Sequence, residues 1–62
     1  MRSWSLDSFI DEYDIVTATA IWGVSRQALD KAIKGGRNIR IIYLDGYYEV
    51  HENKLLKRVR AD

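Results

Sequence analysis

The apolar residues of this chain follow two rhythms in turn. From Ser5 to Lys34 they recur every three or four residues, and from Ile39 onward they alternate. Leu6, Phe9, Ile10 and Tyr13 lie at helical spacing, with Asp7, Asp11, Glu12 and Asp14 mostly on the other side. Such a stripe predicts an amphipathic helix over about Leu6 to Tyr13, with Ser5 as its cap and Asp7 in the first turn, where negative charge suits the helix dipole. In "DIVTATAIWG", Val, Ile and Thr favour strands, but Asp14 can cap, Ala18 and Ala20 favour helix and Gly23 supplies a stop. A short second helix is expected over Ile15 to Trp22. Ser25 then caps a third helix over about residues 26–34, whose apolar stripe is Ala28, Leu29, Ala32 and Ile33. Gly35-Gly36 ends it, because glycine accepts the left-handed conformation that a helix C-terminus often needs.

The alternating part reads as a hairpin. Asp45-Gly46 favours a two-residue type I′ turn. That register pairs Leu44 with Tyr47, Tyr43 with Tyr48, Ile41 with Val50, and Ile39 with Glu52. Ile39, Ile41, Tyr43, Tyr48 and Val50 then share the core face, while Arg40, Ile42, Leu44, Tyr47, Glu49 and His51 share the other. The last six residues hold Lys57, Arg58 and Arg60, and residues 57–62 read as a basic, solvated tail.

Composition narrows the options. Sixty-two residues make one small domain, 1–62, and a domain of this size buries only about 60% of the surface its unfolded chain exposes. There is no Cys and one His, so disulfides and thiolate metal sites are excluded and no metal or cofactor is expected. Self-association is the remaining support, which points to a homodimer. No apolar run approaches the roughly 20 residues that span a bilayer, and no signal peptide is visible, so a cytoplasmic location without membrane attachment is expected. No nucleophile, base and acid can be assembled into a set, so the chain is not expected to be an enzyme or to hold a small-molecule substrate.

Charge is unevenly spread. Met1 to Gly23 carries Arg2 against Asp7, Asp11, Glu12 and Asp14, a net −3. Val24 to Arg40 carries Arg26, Lys31, Lys34, Arg37 and Arg40 against Asp30, a net +4. A local basic patch of this kind suits an anionic partner. Two short helices around Gly23 are spaced like a helix-turn-helix, in which the second helix enters the major groove. The outer face of that helix would present Arg26, Gln27, Asp30, Lys31 and Lys34. Arg and Lys bond guanine, Gln bonds adenine, and Asp accepts from the cytosine amino group.

The stretch "GVSRQALDKAIKGGRNI", followed by "DG" and a "VxxE"-type second strand, resembles the Cro repressors of lambdoid phages, with their "GVxQSAINKAIxAGRxI" pattern. The resemblance covers roughly Trp4 to Leu56. It implies an α+β fold of three short N-terminal helices, including the helix-turn-helix, followed by a C-terminal β-hairpin joined by a short N-terminal strand at Trp4 to Leu6. It further implies a transcriptional repressor that binds a pseudo-palindromic double-stranded DNA operator as a homodimer. Carried over position by position, the DNA-facing residues are Ser25, Arg26, Gln27, Asp30, Lys31, Lys34, Arg37 and Asn38. The dimer contact falls in the last strand, at Glu52, Asn53, Lys54, Leu55 and Leu56. This chain has Arg26 where the pattern has Gln, Gln27 where it has Ser and Asp30 where it has Asn, which implies a different operator. Thr19 and Trp22 also depart from the Ala and Leu usual in the first helix of such motifs.

Two other functions remain open on the residues alone. A protein-interaction module would use Ile42, Leu44 and Tyr47 on the outer face of the hairpin, together with Leu55-Leu56. A single-strand nucleic-acid binder would stack bases on Tyr43, Tyr47 and Tyr48.

Overall fold

The computed structural model describes residues 1–61. The order of elements is β1 (Arg2–Ser5), α1 (Leu6–Glu12), α2 (Ile15–Trp22), α3 (Arg26–Lys34), β2 (Arg40–Leu44), β3 (Tyr47–His51) and β4 (Leu55–Arg60). The three helices begin where side-chain caps are available. Ser5 Oγ accepts from Ser8 N at 3.3 Å, Asp14 Oδ1 from Thr17 N at 2.6 Å, and Ser25 Oγ from Ala28 N at 3.1 Å. Each bond satisfies a backbone donor that the first turn leaves unpaired. The bond from the Thr17 backbone N–H holds the Asp14 carboxyl below its ordinary range.

The expected architecture needs correction. The sheet has four antiparallel strands in the order β1-β2-β3-β4, not a hairpin with one added strand. The segment expected to be a solvated tail forms β4, in which Val59 faces Tyr48, Arg58 faces Glu49 and Arg60 faces Tyr47. Asp62 of the expected tail lies outside the described residues. No apolar alternation marks this strand, because most of its side chains are exposed and half of them are Lys or Arg. It is held by the backbone ladder and by cross-strand pairs, neither of which leaves a hydrophobic period in the sequence. At its far end Ala61 N donates to Gly46 O at 2.8 Å. A register shift between Val50 and His51 lets two residues of β4 oppose one of β3, which marks a bulge.

The N-terminal strand also sits earlier than expected, over Arg2–Ser5, and Leu6 already begins α1. β1 pairs with β2, placing Trp4 opposite Ile41. Within the β2-β3 hairpin the register is Leu44 with Tyr47, Tyr43 with Tyr48 and Ile41 with Val50, as the Asp45-Gly46 turn dictates. Asp45 and Gly46 have φ of 51° and 81°, the double positive φ of a type I′ turn. The expected Ile39–Glu52 pair is absent from the ladder, which ends at Arg40 with His51.

One core joins the helices to one face of the sheet. Trp4, Leu6, Phe9, Ala18, Ile21, Leu29, Ala32, Ile39, Ile41 and Val50 are buried together, with Ile10, Ile15, Trp22, Val24, Ile33 and Tyr48 packed around them. Ala28, expected in the apolar stripe of α3, is exposed instead. Phe9 lies at the centre of the aromatic part, edge-on to Trp4 at 5.2 Å and tilted against Tyr13 at 4.7 Å. The Glu12 carboxylate closes this end, accepting from Trp4 Nε1 and from Arg2 Nη2. No helix among the described residues is long and apolar enough to cross a membrane.

Candidate nucleic-acid interface

The site is built on the turn between α2 and α3. Gly23 ends α2 with φ of 77°, and its N–H donates to Thr19 O at 2.7 Å. The turn redirects the chain within two residues, and Ser25 caps α3. Val24 is half-buried against the core and fills the angle between the helices. Ala18 and Ile21 from α2, and Leu29 and Ala32 from α3, are buried in the same cluster. The small residue that lets the helices approach is therefore Ala18. Thr19 lies one position further on, with its hydroxyl donating to Val16 O at 2.7 Å. Trp22 lies at the margin of the core with one face toward Arg37.

Lys57, expected to be part of a solvated tail, extends from β4 over the turn, where its ammonium group sits against Gly23. A cation there is favourable beside the carbonyl end of α2. Gly23→Ala is expected to cost about 1–2 kcal/mol, because an L-residue is strained in the left-handed region. Thermal denaturation of Gly23→Ala with and without Lys57→Ala separates the two causes. Backbone strain predicts the same loss in both backgrounds, and recovery in the Lys57→Ala protein would assign it to the collision instead.

Burying Leu29 and Ala32 turns the other side of α3 to solvent. Ser25, Arg26, Gln27, Asp30, Lys31 and Lys34 are all exposed. Arg26, Gln27 and Asp30 border one shallow depression with Ile15 at the start of α2. Asp30 is paired along the helix with Lys34, Oδ2 to Nζ at 3.1 Å. That pairing offsets an acidic charge on an otherwise basic face. Being exposed and screened, it contributes little to stability, about 0.3–0.5 kcal/mol for such helix pairs.

Beyond α3, Gly36 turns the chain with φ of 72°, and Arg37 N donates to Ala32 O at 3.2 Å. Arg37 and Asn38 are exposed at this end of the helix. The Arg37 side chain is already engaged. Its Nε and Nη2 donate to the two carboxylate oxygens of Glu52 at 3.0 and 2.7 Å, and its guanidinium carbon lies 5.5 Å from the centre of the Trp22 ring. The paired charges raise the Arg37 pKa and hold the Glu52 carboxyl below its ordinary range, chiefly through the side-chain hydrogen bond.

Glu52, assigned from the sequence to the dimer contact, is thus a partner of the loop after α3. Asn53 and Lys54 lie beside it in the β3–β4 connection, and Leu55 and Leu56 open β4, exposed. The sequence carried one signal for this turn, the polar run Glu52-Asn53-Lys54 between two apolar segments. Nothing local indicated that its glutamate would reach back fifteen residues to Arg37.

The outer face of the sheet has no helix over it. Glu49 lies at its centre, accepting from Arg58 Nε at 2.8 Å and 2.9 Å from His51 Nε2. These contacts, that with His51 foremost, keep the Glu49 carboxyl below its usual range. Of the three tyrosines considered for base stacking, Tyr43 and Tyr48 belong to the helix-facing side with Ile41 and Val50. They pack edge to face at 5.3 Å, and Tyr48 also meets Phe9 at 6.1 Å. Tyr47 lies on the opposite face, as the hairpin register sets it. Among the described residues no cluster of His, Cys, Asp and Glu is suited to a metal ion. Comparison of the chain with protein-family models, curated proteins and solved structures finds no match.

Proposed function

We propose that this chain is a sequence-specific double-stranded DNA-binding repressor, acting in the cytoplasm of a bacterial host. The observation that carries the reading is the presentation of α3. It is anchored by Leu29 and Ala32 behind the α2 turn and displays Arg26, Gln27, Asp30, Lys31 and Lys34 together. Their donors and acceptors suit base edges and phosphates in the major groove. The resemblance of the α2–α3 segment to the Cro repressors supports the same reading.

In this proposal Arg26, Gln27, Asp30 and Lys31 read bases, while Ser25, Lys34, Arg37 and Asn38 contact phosphates. Two copies pair through β4, the last strand, which has one edge free of β3. Leu55 and Leu56 lie exposed at its start and would be covered by the second copy. A protomer measuring 30 × 23 × 18 Å is large enough to set two α3 helices apart by the roughly 34 Å between successive major grooves.

The test is selection of a randomised duplex pool by the protein, followed by salt titration of the best sequence. The expected result is a palindromic consensus with half-sites about one helical turn apart and steep loss of binding with salt. Retention without a consensus would remove the repressor reading and keep only a basic patch. Within the consensus, Gln27→Ala is expected to relax preference at one base pair per half-site, by about 1–3 kcal/mol. Unchanged preference would remove Gln27 from the reading set.

A second reading has its own observation. Leu44, Tyr47, Leu55 and Leu56 are exposed apolar side chains and Ile42 is half-buried, as a protein-interaction module would need. A folded chain that retains no duplex, and whose activity survives loss of Lys31 and Arg37 but not of Leu55, would establish that alternative.

A further inference from the structure

We infer that Glu52 is a positioning residue for DNA binding, one that fixes the Arg37 guanidinium so that its unused edge meets a backbone phosphate beyond the end of α3. The inference rests on the DNA-binding reading and deepens it. The geometry is that of a clamp. Glu52 takes the Nε and Nη2 side of the guanidinium with both carboxylate oxygens, at 3.0 and 2.7 Å. Trp22, the last residue of α2, lies against its face. Glu52 does not use Nη1 or the second N–H of Nη2, and these form the end-on edge of the fork.

A guanidinium can therefore bond a carboxylate on one edge and a phosphate on the other at the same time, which an ammonium group cannot do with comparable geometry. An arginine on a free stem loses rotamer freedom when it engages a phosphate. One already held on an edge and a face loses less, so the gain appears as affinity. The clamp also joins three parts of the fold: the end of α2, the loop after α3 and the β3–β4 connection. The aim of Arg37 is thus tied to the same frame that sets α3. Glu52 brings a negative charge near the nucleic acid, but its partner is the positive group it orients, and the pair together is neutral.

The experiment measures binding of the full chain to two labelled duplexes, the selected consensus and a scrambled sequence, over a range of salt. Wild type, Glu52→Gln, Arg37→Ala and the double variant are compared, with a thermal melt of each. Glutamine keeps the size of the side chain and removes its charge. The expected result is that Glu52→Gln binds both duplexes about fivefold more weakly, with an unchanged ratio between them and a shallower salt slope, as for one phosphate contact impaired. In the Arg37→Ala background Glu52→Gln is expected to have no further effect. The melting midpoint of Glu52→Gln is expected to stay near wild type, since a partly exposed ion pair contributes little.

Equal affinity of Glu52→Gln and wild type would overturn the inference. Tighter binding by Glu52→Gln would also overturn it and make Glu52 a competitor for the phosphate. An undiminished effect of Glu52→Gln in the Arg37→Ala background would overturn it by showing action through another route. Failure of the wild-type protein to bind either duplex is a different result, and removes the DNA-binding reading together with this inference.

Discussion

Phe9→Ala is expected to destabilise the domain by about 3–5 kcal/mol, the usual result of truncating a buried aromatic side chain. Phe9 is fully buried and touches the rings of Trp4, Tyr13 and Tyr48, which come from β1, the end of α1 and β3. The cavity left by alanine is therefore walled by three separate elements, and none can collapse into it without moving the others. At roughly 0.05–0.15 kcal/mol per residue, a chain of this length has a total stability of the same order as the loss. The variant should be mostly unfolded in dilute buffer at room temperature. Urea titration followed by Trp4 and Trp22 fluorescence checks it. A cooperative transition near the wild-type midpoint would show that Phe9 does not hold these elements together.

Lys31→Ala, Lys34→Ala and Arg37→Ala combined are expected to lower duplex affinity by roughly two orders of magnitude at physiological salt, since Lys34 and Arg37 each lose a phosphate contact and Lys31 a base contact. The slope of log affinity against log salt should flatten by about 3.6 for the dimer, from about 0.9 for each of the two phosphate contacts that each protomer loses. All three side chains are exposed, and none belongs to the buried cluster, so the fold should persist. Far-ultraviolet circular dichroism of the triple variant tests that point alongside binding. A folded variant with undiminished affinity would place the nucleic acid elsewhere or nowhere. An unchanged slope with weaker binding would mean that these residues act through packing rather than charge.

The helical half of the molecule was legible because each signal there is local. Ser5, Asp14 and Ser25 are caps within three residues of the N–H groups they accept from. Leu6 with Phe9, and Leu29 with Ala32, mark one buried side of a helix by spacing alone. The Asp45-Gly46 turn fixed the hairpin register for the same reason, since two residues with positive φ allow one pairing of the flanking strands. β4 was not legible. Val59 is half-buried, and the other five residues of the strand are exposed, so no apolar rhythm announces it. Its place depends on open backbone groups along β3, which exist only once β2 and β3 have paired.

The candidate interface divides in the same way. Arg26, Gln27, Asp30, Lys31 and Lys34 fall on one side of α3 by helical geometry, and capping and spacing were enough to name them. The state of Arg37 was decided by the tertiary structure. Its guanidinium is shared between Trp22 and Glu52, residues fifteen positions away on either side, brought together by the α2 turn and the return of β3. The contact of Lys57 with Gly23 has the same origin. The sequence by itself determined the caps, the helix faces and the hairpin turn, because these depend on neighbours within about one turn of chain. Only the tertiary structure decided the fourth strand, the partner of Arg37 and the cover over Gly23, because each joins groups whose distance is set by how the layers close.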